Sequence, residues 1–165
     1  MRTPPAVLVL ASSLSLLAGC AAPQIGVMHF AEGQVQHAIH AGDIAWKPCP
    51  PGLPEGCGMA VLEGDPRGEG LFTARFRGDG SNTAVVPAHW HPKDERVTIL
   101  EGKAYVAFGE GATREDATEF GPGDYYVNKR HAIHTVWIDG DCVLQITGLG
   151  PWKAVPISQQ APPTP

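Results

Sequence analysis

No stretch between residues 40 and 157 keeps an apolar repeat of helical period for three turns, which excludes a fold built on helices. Positive charge is scarce. Twelve lysines and arginines stand against 17 aspartates and glutamates, a formal net charge of −5, so there is no basic surface to court nucleic acid or anionic lipid. The one long apolar run, Ala6 to Leu17, falls short of the roughly 20 residues that span a bilayer and is interrupted by Ser12, Ser13 and Ser15. There is no internal repeat, and 165 residues are too few for two domains of ordinary size. What is abundant is punctuation: 20 glycines and 16 prolines with only 18% charged residues suit short strands joined by tight turns.

The local patterns agree with an all-β barrel. In residues 71–77, LFTARFR, the residues Phe72, Ala74 and Phe76 alternate with Thr73, Arg75 and Arg77, as in a half-buried strand. Residues 97–108, VTILEGKAYVAF, read as a hairpin turning at Glu101 and Gly102, and residues 142–147, CVLQIT, as a further strand. Residues 25–40 are read as a strand pair outside the core, and the last residues, 158–165, as a disordered tail.

The chemistry gathers in HWHPKDERVTILEG, residues 89–102. Residues i and i+2 of a strand share a face, so His89 and His91 can aim both imidazoles at one point. Pro92 breaks the ladder and lets Glu95 turn to the same centre, while Trp90 packs away from it and serves the core. A fourth group should enter from another strand. His134 fits, because residues 122–138 read as strand, turn and second strand, with His134, Val136 and Ile138 on one face.

These residues resemble the motifs of the cupin superfamily. His89, His91, Glu95 and Gly102 match the first motif, and Gly123 and His134 stand at the separation of the second. Lys129, His131 and Ile138 replace the second motif's proline, second glycine and terminal asparagine, and no glycine lies six residues before His89. The segments GDP, PxHWHPKDExVTxLxG and QxxGxGP look like those of small single-domain cupins. The resemblance implies a double-stranded β-helix (jelly-roll) barrel over residues 43–157, and one divalent transition metal, Mn, Fe, Ni, Cu or Zn, on His89, His91, Glu95 and His134. Similar four-ligand cupins include dioxygenases and oxidases of small molecules, so an oxidoreductase with Glu95 as ligand and proton acceptor is the first functional expectation. A ligand-binding or metal-sensing module without turnover is the alternative, and a homodimer is a common state of such barrels. Tyr105, Tyr126, His131 and Gln145 are the candidate partners around the metal. Lys129, Arg130 and His131 form a basic turn that would favour an anionic ligand.

Leu17, Ala18, Gly19 and Cys20 resemble a bacterial lipobox, which divides off a signal peptide, residues 1–19, and a lipidated extension, residues 20–42. The membrane would then be met through lipid on Cys20 only, and Ala21 after it favours an outer membrane facing the periplasm. An oxidising compartment permits a disulfide between Cys49 and Cys57 across the loop CPPGLPEGC, whereas Cys142 reads as a buried thiol. His29, His37 and His40 read as surface histidines.

Overall fold

The computed structural model describes residues 28–81 and 83–163. Eleven strands follow one another: β1 (Lys47–Pro48), β2 (Gly58–Glu63), β3 (Gly70–Arg77), β4 (Ala84–Trp90), β5 (Glu95–Glu101), β6 (Ala104–Phe108), β7 (Thr118–Phe120), β8 (Tyr125–Asn128), β9 (His134–Ile138), β10 (Val143–Gly150) and β11 (Val155–Pro156). One sheet has the order β1-β2-β3-β10-β5-β8 and the other β11-β4-β9-β6-β7, with every pairing antiparallel. Among the described residues, helix is confined to two single 3-10 turns.

Period-two alternation sets the interior. Phe72, Ala74 and Phe76 of β3, Val97 and Ile99 of β5, and Leu144 and Ile146 of β10 are buried in one cluster, while Val86, Val106 and Val136 form its counterpart on the other sheet. Cys142 lies buried beside them, and burial pushes its thiol up to about 12, so it is an inert packing residue.

The segment expected to be a hairpin at Glu101 and Gly102 is instead a corner. β5 pairs with β10 and β8, whereas β6 pairs with β9 and β7, so the chain leaves one sheet and enters the other. Gly102 makes this possible: its φ is +63°, and a Cβ there would lie 2.7 Å from the Cα of Cys142. β8 and β9 likewise fall on opposite sheets. The strand pair expected within residues 25–40 is absent from its described part. Residues 28–40 run as an irregular segment with one turn, touching the barrel where His37 Nε2 lies 2.9 Å from the Leu62 carbonyl. At the other end the chain stays tied to the barrel as far as Gln160, whose carbonyl accepts the indole N–H of Trp90 at 2.9 Å. The lipobox and Cys20 lie outside the described residues.

Cys49 and Cys57 are joined by a disulfide, with Cα atoms 5.5 Å apart, and the Cys49 N–H donates to the Cys57 carbonyl at 3.0 Å. The loop they close sits on the β1–β2 pair. In a Cys49→Ser, Cys57→Ser variant the unfolded chain regains its loop entropy, a loss of about 2.5 kcal/mol. Thermal unfolding should show a melting temperature lower by roughly 5–10 °C.

Candidate metal centre

Strict alternation along β4 would place Val86 and His89 on opposite faces, yet both line the same cavity. A register shift resolves this. Val86 pairs with Val136 and His89 with His134, so three steps on β4 answer two on β9, a bulge at Pro87 and Ala88. Proline has no N–H to give a ladder, so this is where pairing is most easily broken. The bulge turns His89 inward, and His91, just past the strand, follows it.

Each of the three histidines is held by its outer nitrogen. Nδ1 of His89 lies 2.7 Å from the Pro87 carbonyl, Nδ1 of His91 2.7 Å from the Lys153 carbonyl, and Nδ1 of His134 2.9 Å from the Ala132 carbonyl. A carbonyl only accepts, so each Nδ1 carries a hydrogen, and Nε2 is the nitrogen left to offer a lone pair to an ion. All three rings are buried, and a ligand atom from each lies within 4.8 Å of the others. Nε2 of His91 is buried without an aligned hydrogen bond, although Glu95 Oε2 is 3.3 Å away. Three converging imidazole nitrogens, that of His91 buried without an aligned hydrogen bond, are the donor set a divalent transition ion needs.

Glu95, the first residue of β5, points its carboxylate at the same place, with Oε2 3.9 Å from Nε2 of His134. Two residues not singled out in the sequence hold it. Asn128, opposite Glu95 in the β5–β8 register and fully buried, donates from Nδ2 to Oε2 at 2.9 Å and also lies 3.1 Å from His134 Nε2. Trp152 donates from its indole to Oε1 at 3.2 Å and stacks on His91, centroids 5.3 Å apart. Neither offered a local signal. Asn128 is recognisable only from its cross-strand partner, and Trp152 arrives from beyond β10.

Burial opposes the charge on Glu95, but His91, His134 and Asn128 together outweigh it and bring its pKa down to about 2. Burial also opposes charge on His91, where the facing carboxylate wins and the pKa is raised. His89 has no such partner: burial, then the neighbouring His134 and His91, lower it to about 4. His134 is lowered too, chiefly by burial. Without metal, therefore, positive charge is favoured between His91 and Glu95 and disfavoured at His89.

The other expected partners divide. Tyr126 lines the cavity, stacks on Phe120 at 4.3 Å, and keeps its proton because burial raises its pKa. Tyr105 and Gln145 do not reach the site, since their strand positions face outward: Tyr105 lies under the Arg114 guanidinium, 3.0 Å from ring centroid, and Gln145 accepts from Arg75 at 3.1 Å. His131 touches the site through its backbone alone. Its N–H donates to the His91 carbonyl at 2.8 Å, its φ of +65° takes up the left-handed turn, and its ring meets Trp90 edge-on at 5.4 Å. Trp90 is buried beneath the chain end rather than within either central cluster. Lys129 and Arg130 are exposed and line no part of the cavity; the Arg130 N–H donates to Asp94 at 3.0 Å. The basic turn therefore does not rim the pocket.

The cavity holds about 70 Å³, and its wall beyond the histidines and Glu95 is largely aliphatic and aromatic: Phe76, Val86, Val97, Val136, Ile138 and Ile146 among others. Because the folded pKa of His89 lies below the ordinary 6.5, its contribution to stability is complete above pH 6.5 and is lost as pH falls towards 4. Thermal unfolding of chelator-treated protein should show this as a loss of about 3 kcal/mol across that window, absent from a His89→Gln variant.

No family model matches the sequence, and no curated protein matches it. Solved structures do match. The polyketide cyclase RemF from Streptomyces resistomycificus superposes with a TM-score of 0.57 at 17% identity, over 73% of this chain and 85% of that one. An acetylacetone dioxygenase from Acinetobacter johnsonii gives 0.56 at 19% identity, over 82% and 85%. An RmlC-like cupin from Shewanella frigidimarina gives 0.52 at 16%, over 69% and 90%. At these identities the likeness is one of architecture, and with two antiparallel sheets enclosing a buried histidine triad, this chain has the cupin fold.

Proposed function

We propose that the protein is a metal-dependent oxidoreductase of dioxygenase type acting on a small organic molecule, with one divalent ion held by His89, His91, His134 and Glu95. The observation that carries this reading is the convergence of three buried imidazoles, each held at Nδ1 by a backbone carbonyl, beside an apolar cavity. Three neutral imidazoles and a carboxylate suit Mn, Fe, Ni, Cu or Zn, and the affinity order places Cu and Zn above Mn and Fe. When bound, such an ion polarises a substrate oxygen and, if redox-active, exchanges electrons with O2. Fold likeness to an acetylacetone dioxygenase and a polyketide cyclase supports a small-molecule substrate.

The chain's own residues have separate parts in this. The aliphatic wall excludes water and so strengthens every charge interaction at the inner end. Glu95, kept ionised and held at both oxygens, is set to face the ion as a fixed negative charge. Tyr126, a protonated phenol in the wall, is placed to donate rather than accept. We further propose that lipid on Cys20 holds the barrel at a bacterial envelope membrane, facing the periplasm. The lipobox and the Cys49–Cys57 disulfide, which suits an oxidising compartment, support this reading.

Elemental analysis of the purified protein should find about one transition-metal ion per chain, and almost none in a His89→Ala, His134→Ala double variant. Trp152→Phe and Asn128→Ala, which remove donors to Glu95, should each weaken metal affinity roughly 10–100-fold. Equal metal content in wild type and double variant would refute the site. Full metal content with no O2 uptake on any small carbonyl compound or acid would favour the alternative, a ligand-binding module using the same centre.

A further inference from the structure

The cavity has two chemically different ends. Going outward along paired β4 and β9, the partners are His89 with His134, then Val86 with Val136, then Ala84 with Ile138. Those five strand steps span roughly 15 Å. Phe76, Leu144 and Ile146 wall the opposite sheet over the same depth. Metal-binding groups thus stand at the inner end, and the remaining length is mainly apolar, with Arg77 and Tyr126 as polar exceptions.

The loop between β1 and β2 bounds the outer end. Leu53, Pro54 and Cys57 line the cavity, and Leu53, half-buried at the middle of the loop, packs against both hydrophobic clusters, so one side chain bridges the two sheets. This loop is braced against movement. The disulfide and the Cys49 N–H bond close its base, the Leu53 N–H donates to the Pro50 carbonyl at 3.4 Å, and the Cys57 N–H to that of Pro54 at 3.3 Å. Pro50, Pro51 and Pro54 fix three of its φ angles.

We propose that Leu53 is a specificity-determining residue: it is the tip of a disulfide-braced plug that limits the ligand to an oxygen-donor head at the metal and a short apolar tail. This deepens the proposed function and rests on its metal site. The free volume of about 70 Å³ leaves space for a short tail only, and Leu53 is one of the side chains that bound it. Selectivity by tail length follows, since an apolar pocket rejects extra methylenes by their failure to fit and by little else. Beyond the histidines and Glu95, the wall's polar side chains are few, chiefly Arg77 and Tyr126.

The test is a titration of the full chain, loaded with zinc, against straight-chain alkyl hydroxamic acids of increasing length, followed by calorimetry. Wild type should bind the short members and lose at least about tenfold in affinity beyond a cut-off length. Leu53→Ala should move that cut-off outward by about two to three carbons, the reach of the side chain removed. Leu53→Phe should move it inward, so the proposal stays exposed even if one variant folds poorly. An identical cut-off in wild type and either folded variant, with zinc bound in both, overturns the role of Leu53 and leaves the metal site standing. Failure of wild type to take up zinc overturns the metal site and this proposal with it. Undiminished hydroxamate binding by the zinc-free His89→Ala, His134→Ala variant would show that the head does not lie at the histidines, and also overturns it.

Discussion

The arrangement rests on three hydrogen bonds from imidazole Nδ1 to backbone carbonyls. Without them each ring would be free to choose its tautomer and its rotation, and the three inner nitrogens would not agree on a centre. The acceptors come from three separate places: the bulge of β4 at Pro87, the turn before β9 at Ala132, and the link after β10 at Lys153. Hence the site is assembled only when both sheets have closed, and it reports on the integrity of the whole barrel. The His131 N–H bond to the His91 carbonyl ties two of these places together, the β8–β9 turn and the end of β4.

A carboxylate as deeply buried as Glu95 is costly, and a buried ion pair is weak evidence of added stability. The molecule nevertheless commits an asparagine amide and an indole N–H to keeping it charged. A valine or leucine at these positions would fill the barrel more cheaply. The expense makes sense if the carboxylate has a cation to face, and in the metal-free chain the carboxylate itself raises the pKa of His91 and so favours a proton there.

What could be read from the sequence was whatever depends on spacing along one strand. The alternation of Phe72, Ala74 and Phe76 announced β3, and the short spacing of His89, His91 and Glu95 announced most of a common centre, whereas His134 entered as a candidate from a second strand. The rest depends on pairing. Whether residues 97–108 make a hairpin or a corner is decided by the room at Gly102 beside Cys142, which no local pattern shows. Tyr105 and Gln145 looked suitable by chemical type, but parity along β6 and β10 turns them outward. Asn128 and Trp152 carry no local signal, because a lone amide and a lone indole are ordinary until the fold places them on Glu95.

The bulge at Pro87 and Ala88 acts as a phase shift in the inside–outside rhythm of β4. Before it even-numbered residues face the cavity, and after it odd-numbered ones do. Pro87 and Ala88 together occupy one step of the ladder, so the interval holds one residue more than inward-facing histidines require. Losing it would remove the bulge and its cause together and leave plain alternation with both imidazoles still inward. What the extra residue supplies is the local kink, which puts the Pro87 carbonyl against Nδ1 of His89 and so settles the rotation of that ring rather than the face it takes.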